Sequence, residues 1–146
     1  MFDPYDPTDG LKTDGGEGID YPSVSDIYRI HEAVIENDEQ ATEGVVNDGQ
    51  VENALSYIEH GHFGQKPESL FEKAAELFVR IVRGHEFADG NKRTASYSAL
   101  RLIRVNGYPE VNTTDELADI AERIAAGEDI PLSKVEEVLR DTATDT

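Results

Sequence analysis

The chain has 146 residues, a formal net charge of -18, and neither Cys nor Trp. This length is typical of one domain, and a chain of this size buries roughly 70% of its unfolded surface, so a hydrophobic core can hold it without disulfides. The lack of Cys excludes a disulfide framework and a thiolate metal site. No apolar run approaches the roughly 20 residues of a membrane span, and no signal-peptide apolar region follows Met1. We therefore expect a cytoplasmic protein without membrane contact.

The charge is unevenly distributed. An excess of 31 acidic over 13 basic side chains excludes nonspecific nucleic-acid binding by the whole surface, so no direct nucleic-acid partner is predicted. One interpretation is adaptation to a high-salt cytoplasm, where screening makes a dense acidic surface tolerable. Residues 80–104, however, carry a net charge of +4, which leaves -22 on the rest. This basic segment indicates either an anionic ligand or bases that pair with acids on neighbouring helices.

The chain begins and ends with segments that lack apolar periodicity. Residues 1–20 are rich in Gly, Pro and acidic residues, which predicts a flexible N-terminal segment ahead of a domain over residues 21–140. The final DTATDT, residues 141–146, predicts an unstructured tail.

Between these ends, the apolar residues follow helical spacing in six stripes. The stripes cover residues 27–34, 51–58, 70–81, 95–103, 117–124 and 132–139. Strand-like alternation is nearly absent, apart from one short piece over residues 108–111. The sequence thus predicts an all-α, compact bundle of about six helices.

Capping residues flank most of these stripes. The predicted N-caps are Ser23 or Ser25 for the first helix, Ser69 with Glu72 for the third, Thr113 with Glu116 for the fifth, and Ser133 with Glu136 for the sixth. Asn106-Gly107 and Gly127 are typical of helix C-termini.

The stretch GHEFADGNKRT, residues 84–94, combines the parts of an anion site. The start of the fourth helix offers free backbone N–H groups and a positive dipole end. Gly90 permits the positive φ that folds backbone amides inward. Lys92 and Arg93 add full charge, and the Arg fork can grip phosphate oxygens.

The same stretch contains a base and a metal ligand. His85 carries an imidazole, which can remove a hydroxyl proton. Asp89 supplies an oxygen that could hold Mg²⁺ between phosphates. Phe87, the only large apolar residue here, is predicted to anchor the loop. Each residue has an ordinary alternative as a helix cap, a turn residue or a solvated base, but their coincidence favours nucleotide phosphate chemistry on a hydroxyl acceptor.

The sequence HEFADGNKRTA at residues 85–95 resembles the signature of the Fic/Doc superfamily. The NKRTA form at residues 91–95 is more similar to the Doc (death-on-curing) toxin branch than to ordinary Fic proteins. Further Doc-like segments include IHEA at residues 30–33 and ELAD at residues 116–119. The resemblance covers about residues 24–140 and implies a Fic-fold helical bundle.

In the Doc branch, the resemblance implies transfer of the γ-phosphate of ATP to a Ser/Thr hydroxyl of a translation elongation factor of the Tu type, which inhibits translation. It also implies a small antitoxin protein that lays an amphipathic helix into a groove. The alternatives are Fic-type AMP transfer and a catalytically degenerate member that only binds a nucleotide or a partner protein.

The resemblance also implies roles for individual residues. By position, His85 is the general base, Asp89 the acid that holds Mg²⁺ or positions phosphate, and Asn91 a side chain that orients phosphate. The residues implied to bind ATP are Arg83, Gly90, Lys92, Arg93 and Thr94.

This sequence departs from the family pattern at informative positions. Lys92 stands where AMP-transferring Fic proteins usually have Gly, and Ser96 where they have a second Arg, which weakens the AMP-transfer alternative. Glu86 stands where relatives have an apolar residue or Pro, and an anion there is unfavourable unless it faces away. Residues 13–18 match an internal inhibitory pattern, but their glycines disfavour a helix and the Arg that such a Glu would engage is missing.

Three weaker features have two interpretations each. His60-x-His62 has the spacing of metal ligands, but its surroundings favour a structural role or exposure. Tyr97 and Arg101 either edge the nucleotide pocket or pack against the core. Residues 43–49 either resemble the flap-like loop that aligns target chains in the family or form a plain connector.

Overall fold

The computed structural model describes residues 18–144. Within this range the chain forms six helices: α1 (Val24–Glu36), α2 (Gln50–His60), α3 (Leu70–Gly84), α4 (Asn91–Val105), α5 (Asp115–Ala125) and α6 (Leu132–Thr144). The predicted all-α bundle is therefore confirmed. The extended piece predicted over residues 108–111 is wrong, because the chain turns at Pro109, which fixes φ and has no N–H for a ladder. None of the helices in the described range is long and apolar enough to cross a membrane.

Helix α3 lies at the centre of the bundle and packs against α2, α4, α5 and α6. Its apolar residues recur every three or four positions, so they form a continuous face along the helix. Phe71, Leu77, Phe78 and Ile81 on this helix are all buried. Helix α1 packs on α4 and α2, which places it beside the connection between α3 and α4.

Ser23 is the N-cap of α1, which decides between the two serines that the sequence offers. Its Oγ accepts a hydrogen bond from the Asp26 N–H (3.0 Å), and the Asp26 carboxylate accepts one from the Ser23 N–H (2.8 Å). Ser69 caps α3 as predicted, by accepting from the Glu72 N–H at 3.1 Å.

Two predicted caps are displaced. The N-cap of α5 is Thr114, one residue after the predicted Thr113, and its Oγ1 accepts from the Leu117 N–H (3.1 Å). Ser133 lies inside α6 rather than ahead of it. Pro131 explains this earlier start, because its fixed φ suits the start of a helix and its carbonyl accepts from the N–H of Val135.

Both ends of the domain extend beyond the predicted limits of residues 21–140. The backbone N–H and C=O of Asp20 both bond to the Asn106 side-chain amide, at 2.8 and 2.9 Å. Residues 141–144 continue α6, where the buried Thr142 hydroxyl donates to the Leu139 carbonyl, instead of beginning a tail. Predictions for residues 1–17 and 145–146, including most of the inhibitory-pattern match, lie outside the described residues.

Ser23→Ala removes the side-chain acceptor of the α1 capping box. We expect the free energy of unfolding, measured by urea denaturation, to fall by about 1 kcal/mol. Ser25→Ala is the matched control, because Ser25 is exposed in the first turn of the same helix. Equal losses in the two variants would contradict the assignment of Ser23 as the cap.

Candidate active site

Residues 85–90 connect α3 to α4 through two left-handed backbone positions. His85 ends α3 with φ 50° and ψ 49°, and Gly90 begins α4 with φ 84°. Glycine adopts this region freely, whereas a non-glycine residue does so uncommonly. A Cβ at Gly90 would also lie 3.2 Å from side-chain carbons of Val34 and Ile35 on α1. Gly90 therefore suits both the turn and the close approach of α1.

The side chain of Asn91 hydrogen-bonds back to the loop that precedes α4. Its Oδ1 accepts from the Phe87 N–H at 3.0 Å, and its Nδ2 donates to the Phe87 carbonyl at 2.7 Å. The residue is buried at 6% exposure. In this structure Asn91 fastens the loop, and it does not line the cleft at the start of α4 to which a phosphate-orienting side chain would belong.

Phe87 anchors the loop in the core, as predicted. The ring is 1% exposed, stacks on the His31 ring with centroids 3.7 Å apart, and meets the Tyr28 ring edge-on at 5.2 Å. A ring nitrogen of His31 also hydrogen-bonds the Asp89 carbonyl at 2.8 Å. Sequence reasoning assigned no role to His31, although it lies in one of the Doc-like segments. Helix α1 thus holds the loop through Tyr28 and His31.

Residues 43–49, here called the flap, pair with the same loop. The Val46 N–H donates to the Glu86 carbonyl (2.7 Å), the Ala88 N–H donates to the Gly44 carbonyl (2.9 Å), and an antiparallel bridge joins Val45 to Phe87. The side chains of Val45 and Val46 are nevertheless exposed, at 46% and 62%. Such strand-like pairing favours the flap-like alternative over a plain connector.

A cleft of about 390 Å³ lies between the N-terminal half of α4 and α5. Four of the predicted site residues line it together: Asp89, Gly90, Lys92 and Arg93. Ser96 and Tyr97 extend the lining along α4, so Tyr97 does edge the pocket. Arg101 lies outside it and approaches Asp26 of α1 at 3.7 Å.

Both bases of the cleft are paired with acids at the surface. Lys92 Nζ lies 2.7 Å from a Glu122 carboxylate oxygen, and an Arg93 guanidinium nitrogen lies 2.8 Å from Asp38. A hydrogen bond from the Gln40 backbone, with a further one from Arg93, holds the pKa of Asp38 below its usual value. Exposed pairs of this kind stabilise a fold only weakly, so an anionic ligand can compete for these bases. The pairs confirm that bases of this segment contact acids on neighbouring elements, and the anionic ligand stays a prediction.

Asp89 is the acidic side chain of the cleft on the loop side. One carboxylate oxygen accepts from the Thr42 N–H at 2.8 Å, and the residue is exposed. The described residues contain no group of three His, Cys, Asp or Glu that could hold a metal ion. A single carboxylate still fits Mg²⁺, which commonly takes its other ligands from phosphates and water. His60 and His62 fit no such site, and the His62 ring instead packs edge-on against Tyr57.

Besides Asn91, three of the residues implied by the resemblance lie outside the cleft: His85, Arg83 and Thr94. His85 is exposed at the end of α3 and is not part of the cleft wall. Arg83 lines a separate cleft of about 320 Å³ between α2 and α3 and approaches Asp129 at 3.7 Å. Thr94 is fully buried, and its hydroxyl has no hydrogen-bond partner among the described residues. The helical rotation of α4 explains the burial of Thr94, because it turns Thr94 toward the core and Lys92 and Arg93 outward.

The Glu86 side chain faces away from the cleft, so its negative charge does not lie beside the predicted phosphate site. Its carboxylate is buried and accepts hydrogen bonds from the Val51 N–H (2.7 Å) and the Tyr28 hydroxyl. The hydrogen bond to Glu86, followed by burial, raises the pKa of Tyr28 to about 12.

Asn91→Ala removes both hydrogen bonds to the Phe87 backbone and leaves two buried backbone groups unpaired. We expect the free energy of unfolding to fall by about 1–3 kcal/mol in urea denaturation. The control is Asn112→Ala, because Asn112 is exposed and makes one long bond of 3.4 Å. Wild-type stability in Asn91→Ala would show that the amide does not fasten the loop.

Comparison with known proteins agrees with this geometry. Residues 21–103 match a family model described as the Fic/DOC family. The chain is 35% identical over 118 residues to a protein named "Protein kinase doc" from Escherichia phage P1, an alignment that covers 81% of this chain and 91% of that protein. The match includes the loop, the flap and the first turns of α4. The chain belongs to the Fic/DOC family and, within it, to the Doc branch.

Proposed function

We propose that the protein is a toxin of the Doc type that transfers the γ-phosphate of ATP to a Ser/Thr hydroxyl of another protein. The observation that carries this proposal is the cleft at the start of α4, where Asp89, Lys92 and Arg93 meet beside the loop that ends α3. The similarity to a protein named as a kinase supports phosphate transfer rather than another reaction of the fold.

The chemistry of the cleft suits a triphosphate. The volume of about 390 Å³ is within the range of small-molecule sites, and the free N–H groups at the start of α4 favour an anion. Lys92 and Arg93 would neutralise phosphate charge, and Mg²⁺ held by Asp89 would supply further charge neutralisation. In phosphoryl transfer, positioning and charge neutralisation account for most of the rate.

His85 is the candidate general base. It is exposed at the end of α3, next to the flap, where a hydroxyl of a target chain can approach. The imidazole would accept the hydroxyl proton as the oxygen attacks the γ-phosphorus, and the bond from that phosphorus to the β–γ bridging oxygen would break to release ADP. The left-handed conformation of His85 directs its backbone out of the α3 helix and into the loop.

Ser96 favours γ-phosphate transfer over AMP transfer. It lines the cleft, and its hydroxyl donates to the Lys92 carbonyl one turn earlier, at 3.2 Å. This position therefore offers no second guanidinium to hold a γ-phosphate while the α-phosphate is attacked. AMP transfer remains the second candidate function, and a degenerate binding protein the third.

The proposed target is a translation elongation factor of the Tu type, whose modification would inhibit translation. The exposed flap, with its edge beside His85, is the surface that would align the target chain. The proposed second partner is a small antitoxin protein with an acidic amphipathic helix. A groove of about 350 Å³ between α1 and α4 supports it, because apolar side chains and Arg93, Arg101 and Arg104 line it.

The proposal is tested by incubating the purified protein with elongation factor and with Mg-ATP that is labelled at both the α- and γ-phosphates. We expect only the γ-label on the factor. His85→Ala should reduce transfer by at least about 100-fold, the range of general-base catalysis, and leave thermal unfolding unchanged, because an exposed His adds little to the core.

His60→Ala is the matched control, since its side chain is 69% exposed on α2 and distant in sequence from the loop. It should transfer phosphate like the wild type. Label from the α-phosphate would replace the kinase proposal with AMP transfer. Unchanged modification of the factor by His85→Ala would refute the catalytic role of this residue.

A further inference from the structure

Glu86 is a buried acid next to the candidate base, and the proposed reaction does not use it. The residue is 2% exposed, although acidic side chains are almost never fully buried without a partner. Its carboxylate has two partners on two different helices. One oxygen accepts from the Val51 N–H near the start of α2, and the other accepts from the Tyr28 hydroxyl of α1.

The partners of this carboxylate suit its charge. Val51 is the second residue of α2, so its N–H has no acceptor within the helix and belongs to the positive end of the helix dipole. The raised pKa of Tyr28 shows that its hydroxyl remains a donor to the carboxylate across the physiological pH range. The Tyr28 ring also meets Phe87, the next residue of the loop, edge-on.

The backbone of Glu86 ties the same point to the flap. Its carbonyl accepts from the N–H groups of both Val46 (2.7 Å) and Asn47 (3.1 Å). Glu86 therefore connects the loop to α1 and α2 through its side chain and to the flap through its carbonyl.

His85 needs such support, because it is a non-glycine residue with φ 50°. Residues in this region persist only where their surroundings over-determine the backbone. On the N-terminal side, the Gly84 carbonyl accepts from the Asn47 side-chain amide at 2.7 Å. Glu86 provides the corresponding restraint on the C-terminal side.

We propose that Glu86 is a positioning residue, whose hydrogen bonds to Val51 and Tyr28 hold His85 in its left-handed conformation and keep the flap beside it. This inference depends on the proposed function only for its catalytic consequence. Glu86 touches neither the cleft nor the bases that line it. Its loss should therefore impair the chemical step more than nucleotide binding.

The test compares Glu86→Gln and Tyr28→Phe with Glu52→Gln as control, an exposed acid one residue after Val51. Glu86→Gln removes the negative charge and one acceptor oxygen, so both bonds lose their charge assistance and the Tyr28 hydroxyl has to accept from the Gln NH2 group instead of donating. Tyr28→Phe removes one bond while keeping the ring. We expect each to lower kcat for phosphate transfer by about tenfold and to change the KM for ATP by less than about twofold. The control should match the wild type in both constants.

Two measurements test the proposal without an activity assay. The three-bond coupling between the amide proton and the Hα proton of His85 reports its φ. Amide hydrogen exchange reports the protection of the Val46 and Asn47 N–H groups. In both variants we expect the coupling to move away from its wild-type value and the exchange to accelerate, while the control changes neither. If the wild type transfers no phosphate at all, the proposed function fails, but these two readouts still test the role of Glu86.

Folded variants that keep the wild-type His85 coupling and flap protection would overturn the proposal. A rise in the KM for ATP with unchanged kcat would also overturn it, because it would place Glu86 in nucleotide binding. Tyr28→Phe keeps the test valid if Glu86→Gln fails to fold, since it leaves the carboxylate and its bond to Val51 in place.

Discussion

The structure of the site depends on satisfying the backbone hydrogen bonds of residues 85–90. Buried N–H and C=O groups outside helices and strands are costly unless they find partners. Asn91 bonds both backbone groups of Phe87, the flap bonds the Glu86 carbonyl and the Ala88 N–H, and His31 bonds the Asp89 carbonyl. The loop is therefore held mainly through its backbone, which leaves side chains such as Asp89 for the cleft.

The helical phase of α4 divides the motif between structure and chemistry. Asn91 and Thr94 turn inward, where they fasten the loop or pack against the core. Lys92 and Arg93 turn outward into the cleft, where Glu122 and Asp38 balance their charge. A contiguous sequence motif thus contains two classes of residue that differ in the direction they face. Under the proposed function, the net charge of +4 over residues 80–104 would serve a local anion site on a strongly acidic protein.

Local sequence signals predicted the six helices and the positive φ of Gly90, because each depends on neighbours within a few positions. The anchoring role of Phe87 followed from its being the only large apolar residue of the loop, whereas its partners His31 and Tyr28 lie more than 50 positions away. The family resemblance groups Asn91 and Thr94 with Lys92 and Arg93, although the apolar stripe over residues 95–103 places Asn91, one turn before Ala95, on the buried face of α4. The sequence could not predict the partners of Glu86, which are 58 and 35 residues away in the chain. Arg83 was placed with the nucleotide site for the same reason, since only the packing of α2 against α3 shows the separate cleft that it lines.

The proposed function depends above all on binding of the ATP phosphates at the start of α4. Isothermal titration calorimetry with Mg-ATP on the wild type, Lys92→Ala and Arg93→Ala tests it most directly, with Lys66→Ala as the exposed control. We expect each cleft variant to weaken binding by about tenfold, as the loss of a charge-assisted contact would, and Lys66→Ala to bind like the wild type. Wild-type affinity in both Lys92→Ala and Arg93→Ala would contradict the account.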